Sequence, residues 1–249
     1  KNCLDYLSTI EDESVDLVLT DPPYFIGFDG GKGWDSQWKT EKEYLAWCKL
    51  WTDECVRVLK PNRMLVVWGT LKTDTFLRYK LDILNSYESM HGQNEIIWGY
   101  NWGGRAKTNF ARKHEYAWCY SKGKDFLFND HDIRVERKVK KNLRTGKEYT
   151  QGTIPTCIWE KNNHTTSKDY VGWHPTTKNV DILERIIRAY SNKGDNVLDI
   201  FSGSGSTAVA SLRCDRKVLG CELDEEYYEK SIVRIEESIG ITRFMNADN

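Results

Sequence analysis

The residues whose types and spacing most clearly suggest a binding site lie in a glycine-rich turn near the carboxyl end. The sequence FSGSGS, residues 201–206, follows the apolar run NVLDI. Gly203 and Gly205 let the backbone turn sharply and approach a ligand, and a helix start offers free N–H groups. Glu222 ends the next apolar run, 17 residues beyond Gly205, where a carboxylate can accept hydrogen bonds from both ribose hydroxyls. The spacing predicts a nucleotide-like ligand, but it also satisfies the dinucleotide fingerprint and leaves the cofactor open. A structural turn without a ligand is the alternative.

A second motif, Asp21-Pro22-Pro23-Tyr24, follows the apolar run VDLVLT. Two consecutive prolines fix an extended backbone without N–H groups, so carbonyl oxygens point outward. Asp21 adds a carboxylate and Tyr24 a flat aromatic face. The set matches the exocyclic amine of an extruded base, which needs two hydrogen-bond acceptors and a ring on which to stack. A proline-rich turn without a ligand is the alternative.

A third motif, His174-Pro175-Thr176-Thr177-Lys178, precedes a helical pattern at residues 179–190. Thr176 is predicted to cap that helix, and Lys178 to meet a carboxylate near its start.

Alternating strand and helix patterns must position these motifs. Apolar runs rich in β-branched residues at 15–20, 64–68, 196–200 and 217–221 read as buried parallel strands. Helical spacing recurs at residues 41–59, 71–84, 179–190, 206–214 and 225–239. The alternation predicts an α/β, doubly wound, mostly parallel sheet. Residues 95–98 and 115–120 are predicted as two further strands at an antiparallel edge.

Charge is distributed unevenly along the chain. The net charge is −1, yet residues 61–180 hold 20 basic and 12 acidic side chains. The basic runs in this centre are interleaved with aromatic residues, which indicates a surface for phosphate backbones and bases, with a solvated charged face as the alternative. The candidate nucleic-acid contacts are Arg105, Lys107, Arg112, Lys113, Arg137, Lys138, Lys140, Lys141 and Arg144, together with Trp34 outside this centre.

Composition excludes several other classes. No run of about 18 apolar residues and no secretory leader occurs, so neither a membrane span nor a signal peptide is predicted. Seven cysteines without a CxxC pair indicate reduced thiols in a cytoplasm, and no metal site is predicted. Residues 125–173 are polar, with weak periodicity, which is typical of a disordered or functional insertion.

Together the three motifs resemble the β class of S-adenosylmethionine-dependent DNA amino-methyltransferases, whose Rossmann-like class I sheet is circularly permuted. In that family D-P-P-Y comes first, then a target-recognition region, an HPTxKP-like motif, F-x-G-x-G and a strand-terminal acidic residue. The same order appears here as 21–24, about 125–172, 174–178, 201–205 and 222. The resemblance implies a catalytic half at 1–124, a target-recognition insert at 125–172 and a cofactor-binding half at 173–249.

The resemblance also implies roles for individual residues. Asp21, Pro22, Pro23 and Tyr24 would hold and stack the target base, and Glu222 would bind the ribose of the cofactor. Asn2 and Cys3 stand where the family has a Gly-Asp pair at a strand tip that touches the cofactor's adenine. Trp34-Asp35 resembles a Trp-Asp pair of the family, after a glycine-rich stretch at 27–33 that would form a mobile loop. The cofactor set is completed by Asp21, His174, Thr176, Lys178, Asp199, Phe201, Ser202, Gly203, Ser204, Gly205 and Ser206, with Thr176 and Lys178 near the methionine carboxylate.

The resemblance implies site-specific methylation of double-stranded DNA by base flipping, in a bacterial, archaeal or phage-infected cytoplasm. Asp at the first position of D-P-P-Y favours adenine N6, with cytosine N4 as the alternative. An RNA methyltransferase, an NAD-dependent oxidoreductase and a DNA-binding protein with a vestigial pocket are more remote alternatives. A homodimer and a partner restriction endonuclease are the further partners that the family implies.

Overall fold

Seven strands form one sheet in the computed structural model, which describes residues 1–100, 106–142, 144–160 and 169–240. Their spatial order is β5-β3-β4-β2-β1-β6-β7, and β4 is the one strand antiparallel to its neighbours. The predicted doubly wound, mostly parallel sheet is therefore confirmed. The strands are β1 (Val15–Thr20), β2 (Leu59–Gly69), β3 (Met90–Gly99), β4 (His114–Lys122), β5 (Ile158–Glu160), β6 (Asn196–Asp199) and β7 (Lys217–Gly220).

Helices cover both faces of the sheet because successive side chains of each strand point to opposite faces. Val18 packs beneath α2, whereas its neighbours Leu17 and Leu19 pack against α4 and α5. The amphipathic spacing of α2 and α4 supplies the matching apolar faces. The helices are α1 (Cys3–Leu7), α2 (Glu41–Val58), α3 (Asp74–Arg78), α4 (Val180–Tyr190), α5 (Ser206–Arg213) and α6 (Glu225–Ser238).

The chain reverses its winding direction between β1 and β6. From β1 it proceeds through α2 to β2 on one side, and from β6 through α5 to β7 on the other. Loops after the carboxyl ends of such a strand pair diverge and leave a crevice between them. The D-P-P-Y motif follows β1 and the glycine-rich turn follows β6, so the fold brings them to one crevice.

Three local predictions were wrong. The antiparallel strand is not at the edge: β4 lies between β2 and β3, and the short strand β5 forms that edge. The predicted helix at 71–84 is α3 followed by a π turn, Tyr79–Ile83, and a 3-10 turn, Leu84–Ser86. The π turn begins at Tyr79, which is buried, and the Tyr79 hydroxyl lies 3.1 Å from Thr52 Oγ1 of α2.

The third error concerns Thr176, which does not cap α4. Asn179 is the N-cap, because its side-chain oxygen accepts a hydrogen bond of 3.2 Å from the Ile182 N–H.

The polar region after β4 contains an irregular basic hairpin, defined here as residues 134–153, of which Leu143 is not described. Val135 pairs with Thr153 and Lys141 with Glu148 as antiparallel bridges. The hairpin has seven basic and two acidic residues. Neither the insert boundaries nor the division into halves is tested by these contacts, and both stay predictions. No helix in the described ranges has the length and apolarity that crossing a membrane requires.

Candidate active site

Two clefts meet at the carboxyl edge of the sheet. The Glu222 cleft encloses about 930 Å³ up to its open mouth, and every residue predicted to bind the cofactor lines it except Gly205. The Tyr24 cleft encloses about 1270 Å³ and is lined by Asp21, Pro22 and Tyr24. Pockets of this size accept small molecules and cofactors. Asp21, Trp34, Thr176 and Lys178 belong to the walls of both clefts, so a group in one can reach a group in the other.

The glycine-rich turn forms the floor of the Glu222 cleft and requires its glycines. Gly203 and Gly205 have φ values of +47° and +75°, in the left-handed region that favours glycine. A Cβ on Gly203 would stand 2.9 Å from His174 Nε2. Gly205 faces away from the cleft and packs against Ser231 and Ile235 of α6. At Gly203 the turn therefore presents backbone to whatever occupies the cleft, between residues with side chains that also line it: Phe201, Ser202, Ser204 and Ser206.

Glu222 binds the glycine-rich turn to the loop after β7. Its Oε2 accepts from the Gly203 N–H at 2.7 Å, and its Oε1 accepts from the N–H groups of Leu223 and Asp224 at 2.9 Å each. These bonds fix the carboxylate in the cleft wall, where its remaining lone pairs can accept hydroxyl donors.

Asp199 at the end of β6 supports the same turn from below. Its Oδ1 accepts from Thr20 Oγ1 at 2.8 Å and from the Phe201 N–H at 3.1 Å. Burial raises the pKa of Asp199 to about 6, against the opposing effect of these hydrogen bonds. The interaction joins β1 to β6 where the chain reverses direction.

An ionic cluster centred on Lys178 occupies the junction of the clefts. The Lys178 ammonium is 8% exposed and donates to Asp21 Oδ2, and it also lies 3.2 Å from Glu115 Oε2. The Tyr24 hydroxyl donates to the other oxygen of Asp21. Two carboxylates and one ammonium leave the cluster with one net negative charge. The resemblance associates Lys178 with the methionine carboxylate, whereas its observed partners are Asp21 and Glu115.

Protonation in this cluster follows from burial and from charge. Burial alone would lower the pKa of Lys178, but Asp21 and Glu115 outweigh it and raise the pKa above its ordinary value, so the ammonium persists. Burial, followed by the negative charges of Asp21 and Glu115, raises the pKa of Tyr24 well above its ordinary value. Tyr24 therefore remains a neutral phenol at physiological pH.

His174 is a buried neutral imidazole. Burial, together with the positive charges of Lys178 and Arg234, lowers its pKa to about 4. The ring centroid lies 4.6 Å from that of Tyr227, and Nδ1 accepts from the Thr176 N–H at 3.3 Å. His174 thus sets the shape of the loop before α4 and the depth of the Glu222 cleft.

Asp35 organises the loop that follows D-P-P-Y. Its carboxylate is 1% exposed and accepts from the N–H groups of Phe25, Ile26 and Phe28 at 2.7, 2.8 and 3.1 Å. The neighbouring Trp34 stands in the wall between the clefts, and its buried Nε1–H has no acceptor among the described residues. A buried donor without a partner is costly, so this N–H is suited to a ligand atom.

The predicted DNA-contacting cations fall into two groups. Arg112 and Lys113 line the Tyr24 cleft, with Lys107 exposed close by in sequence. The other described cations of the set lie on the basic hairpin. Arg105 lies outside the described residues.

Within the basic hairpin, some cations have partners of their own. Lys140 pairs with Glu136, and Lys141 with Glu148 at 3.3 Å. Arg137 stacks 4.0 Å from the Tyr149 ring. Lys138 and Arg144 are exposed and have no carboxylate partner among the described residues.

Sequence reasoning missed several residues of the site. Glu115 was treated only as part of a strand, although an acidic residue within a buried, aromatic-rich run was an available signal. Tyr44 donates from its hydroxyl to the Pro23 carbonyl at 2.7 Å, and Arg234 donates to the Ser204 carbonyl at 2.7 Å. Nothing local in the sequence marked either contact. Across the described ranges, no group of three or more His, Cys, Asp or Glu side chains could hold a metal ion.

Comparisons with known proteins agree on one family. The family model N6_N4_Mtase, described as DNA methylase, matches residues 15–233. The type II methyltransferase M.HpaI of Haemophilus parainfluenzae is 32% identical over 237 residues, covering 94% of this chain and 72% of that protein. The DNA adenine methyltransferase YhdJ of Escherichia coli K12 is also 32% identical, with 94% and 81% covered.

Solved structures share the fold. The PvuII DNA methyltransferase, which is cytosine-N4-specific, superposes with a TM-score of 0.73 at 19% identity and covers 97% of this chain and 89% of its own. The M1.HpyAVI–SAM complex has a TM-score of 0.62 at 22% identity, with 94% and 96% covered. At such identities the structures support the sheet and its helices.

Proposed function

The chain belongs to the N6/N4 DNA methylase family, and we propose that within it the enzyme methylates the exocyclic N6 of adenine in double-stranded DNA. Membership rests on a family match over residues 15–233 and on relatives of 32% identity. The chain is therefore a DNA methyltransferase whose cofactor is S-adenosylmethionine. Methyl transfer to an exocyclic amine is supported by one observation above all: the Asp21 carboxylate stands at the junction of the two clefts.

The Glu222 cleft fits the cofactor. At Gly203 the floor is bare backbone, since a Cβ there would collide with His174. The wall holds the Trp34 Nε1–H, which has no acceptor among the described residues. Glu222 would accept from ribose hydroxyls, Phe201 would pack on the adenine, and Ser204 and Ser206 would face polar groups. When bound, S-adenosylmethionine supplies an electrophilic methyl group on a sulfonium sulfur.

The base binds in the Tyr24 cleft by hydrogen bonds and stacking. Asp21 and the Pro22 carbonyl accept the two hydrogens of the target amine. The Pro23 carbonyl is already engaged by the Tyr44 hydroxyl, and among the described residues no donor is assigned to Pro22. Tyr24 offers its ring, held by a hydroxyl bond to Asp21 and edge contact with Phe76 at 5.0 Å. Extrusion of the base costs a few kcal/mol, which these contacts offset.

Catalysis by the chain's own residues is electrostatic. An aromatic amine is a weak nucleophile because its lone pair is delocalised into the ring. Acceptors at Asp21 and Pro22 draw the amine towards tetrahedral geometry and free that lone pair. As the nitrogen gains positive charge, the net negative charge of the Asp21, Lys178 and Glu115 cluster stabilises it.

Two considerations favour adenine over cytosine. The first motif position carries Asp, as is commoner in adenine-N6 members, and the relative YhdJ, 32% identical, is named a DNA adenine methyltransferase. The cytosine-N4 enzyme PvuII supports the fold alone at 19% identity. Double-stranded DNA as substrate, the insert and site residues, a homodimer and an endonuclease partner also belong to this proposal.

One assay tests the proposal directly. The enzyme is incubated with methyl-labelled S-adenosylmethionine and unmethylated genomic DNA, the DNA is digested, and the labelled nucleoside is identified; parallel sequencing of modified DNA maps the site. We expect N6-methyladenine, and a loss of about 10²-fold or more in rate for Asp21→Asn with cofactor binding retained. N4-methylcytosine would refute the adenine assignment. Full activity in Asp21→Asn would refute the catalytic role of this carboxylate.

A further inference from the structure

Phe110 is the most exposed large apolar side chain in the described ranges, with 95% of its surface in solvent. The next is Leu223 at 62%. Aromatic rings contribute the largest apolar area of any side chain when they are covered. A single exposed apolar residue is ordinary on a protein surface. Whether Phe110 has a function therefore depends on where it lies.

The loop that holds Phe110 joins β3 to β4 and is basic. In the sequence, Lys107 precedes Phe110 and Arg112 and Lys113 follow it, and residues 106–114 include no acidic side chain. The end of the loop is anchored, since Arg112 donates to the Leu71 carbonyl and the Tyr100 N–H donates to the Lys113 carbonyl at 2.9 Å. Phe110 thus projects from a segment that is fixed two residues away.

The same loop forms part of the Tyr24 cleft. Arg112 and Lys113 line that cleft together with Asp21 and Tyr24. A duplex that delivers a base into the cleft must therefore pass beside the loop. The cations that precede and follow Phe110 in the loop sequence attract phosphates, whereas the ring itself has no polar group to offer them.

We infer that Phe110 is a wedge that enters the base stack of duplex DNA and fills the gap left by the extruded target base. The inference rests on the proposed function. An apolar side chain inserted at a base step stabilises unstacked DNA, and stacking of bases on the ring replaces part of the stacking that extrusion removes. The flanking cations hold the adjacent phosphates. Phe110 is a positioning residue: it touches DNA and acts on the base through its neighbours.

The test compares two duplexes that contain the methylation site mapped for the wild-type enzyme. In one the target base is paired, and in the other it faces an abasic position, so that extrusion needs little help. Single-turnover methylation rates are measured for wild type, Phe110→Ala, Phe110→Leu and the control Leu50→Ala. Leu50 is 54% exposed on α2 and lines neither cleft.

We expect Phe110→Ala to methylate the paired duplex about tenfold or more slowly, the factor that corresponds to about 1.4 kcal/mol in the barrier. On the abasic duplex its rate should approach that of the wild type. Phe110→Leu should retain most of the rate because it keeps apolar bulk, and Leu50→Ala should match wild type on both duplexes.

Two results would refute the assignment of Phe110 as a wedge. One is an unchanged rate of Phe110→Ala on the paired duplex. The other is an equal loss on both duplexes, which would mean that the ring docks DNA without stabilising the gap. The proposed function would fail separately and earlier, if the wild-type enzyme transferred no methyl group to genomic DNA and no site could be mapped, so the two failures are distinguishable.

Discussion

At the scale of the residue, Lys178 controls the charge balance of the site. It is the cation between two carboxylates, in contact with Asp21 and 3.2 Å from Glu115, and its own exposure is 8%. Removing one member of a buried ion pair leaves an uncompensated charge, whereas removing both charges can be nearly neutral. Stability and catalysis therefore depend on the same three side chains.

We predict that Lys178→Met lowers the free energy of unfolding by about 3 kcal/mol, because Asp21 and Glu115 then repel each other without a counterion. The double variant Lys178→Met/Glu115→Gln should recover part of that loss, since it removes one carboxylate charge. Urea unfolding of wild type and the variants measures both effects. A double variant less stable than Lys178→Met would contradict the ionic account.

The lowered pKa of His174 predicts how the stability of the fold changes as the pH falls. Its pKa is about 4 in the folded protein against an ordinary value of 6.5, so the unfolded chain binds the proton more readily. The stability that neutral His174 contributes is present above pH 6.5 and is lost as the pH falls towards 4, by up to roughly 3 kcal/mol.

The measurement is the difference in unfolding free energy between wild type and His174→Gln from pH 7.5 to pH 4. A difference is required because Asp199, whose pKa is raised to about 6 by burial, contributes with the opposite sign in an overlapping range. The difference should shrink as the pH falls below 6.5. A difference that is constant with pH would mean that His174 is not the titrating group.

At the scale of the element, the glycine-rich turn works because of what lies behind it. The turn after β6 is pressed between the His174 loop on one side and α6 on the other, at Gly203 and Gly205 respectively. Glu222, from the loop after β7, holds the Gly203 N–H at 2.7 Å. Three separate segments therefore determine the shape of the cofactor floor.

We predict that Gly203→Ala weakens binding of S-adenosylmethionine by about tenfold or more, because the Cβ meets His174 at 2.9 Å and φ is +47°. Gly172→Ala is the matched control, since no atom of the described residues lies within 4 Å of its Cβ and its φ needs no glycine. Calorimetric titration with the cofactor compares the two. Equal affinities in both variants would show that the turn tolerates a side chain.

At the scale of the whole molecule, charge is separated along the chain. The basic hairpin and the cations of the β3–β4 loop belong to the central stretch with 20 basic and 12 acidic residues. Neutralising phosphates releases counterions, so affinity for DNA falls as salt rises. The net charge of −1 conceals this polarity.

We predict that Lys138→Ala/Arg144→Ala makes the slope of log affinity against log salt shallower by about 1 to 2, since each phosphate contact contributes about 0.9. The control Lys193→Ala/Lys217→Ala removes two exposed cations that precede β6 and begin β7, at the edge of the sheet opposite the clefts. It should leave the slope unchanged. Fluorescence anisotropy with duplex DNA from about 50 to 300 mM salt measures the slope for each double variant. Equal slopes for the two double variants would show that the hairpin is not part of the DNA-facing surface.

The sequence by itself determined the elements whose patterns are local. Buried parallel strands, amphipathic helices and the glycine-rich turn depend on residues a few positions apart, so Val15–Thr20 and Val180–Tyr190 were predictable from their spacing. D-P-P-Y and F-S-G-S-G were recognisable for the same reason. Their meeting in one crevice followed from the rule that parallel strands end at a common edge.

Only the tertiary structure decided the contacts between distant segments. Lys178 and Asp21 are 157 residues apart, and Glu115 joins them only because β4 inserts antiparallel between β2 and β3. No local pattern encodes that register. The position of Arg112 and Lys113, the loop neighbours of Phe110, in the wall of the Tyr24 cleft depends on the same strand pair. Side chains far apart in sequence meet where packing of the sheet brings them, and their charge and exposure are then set by neighbours that the linear order does not reveal.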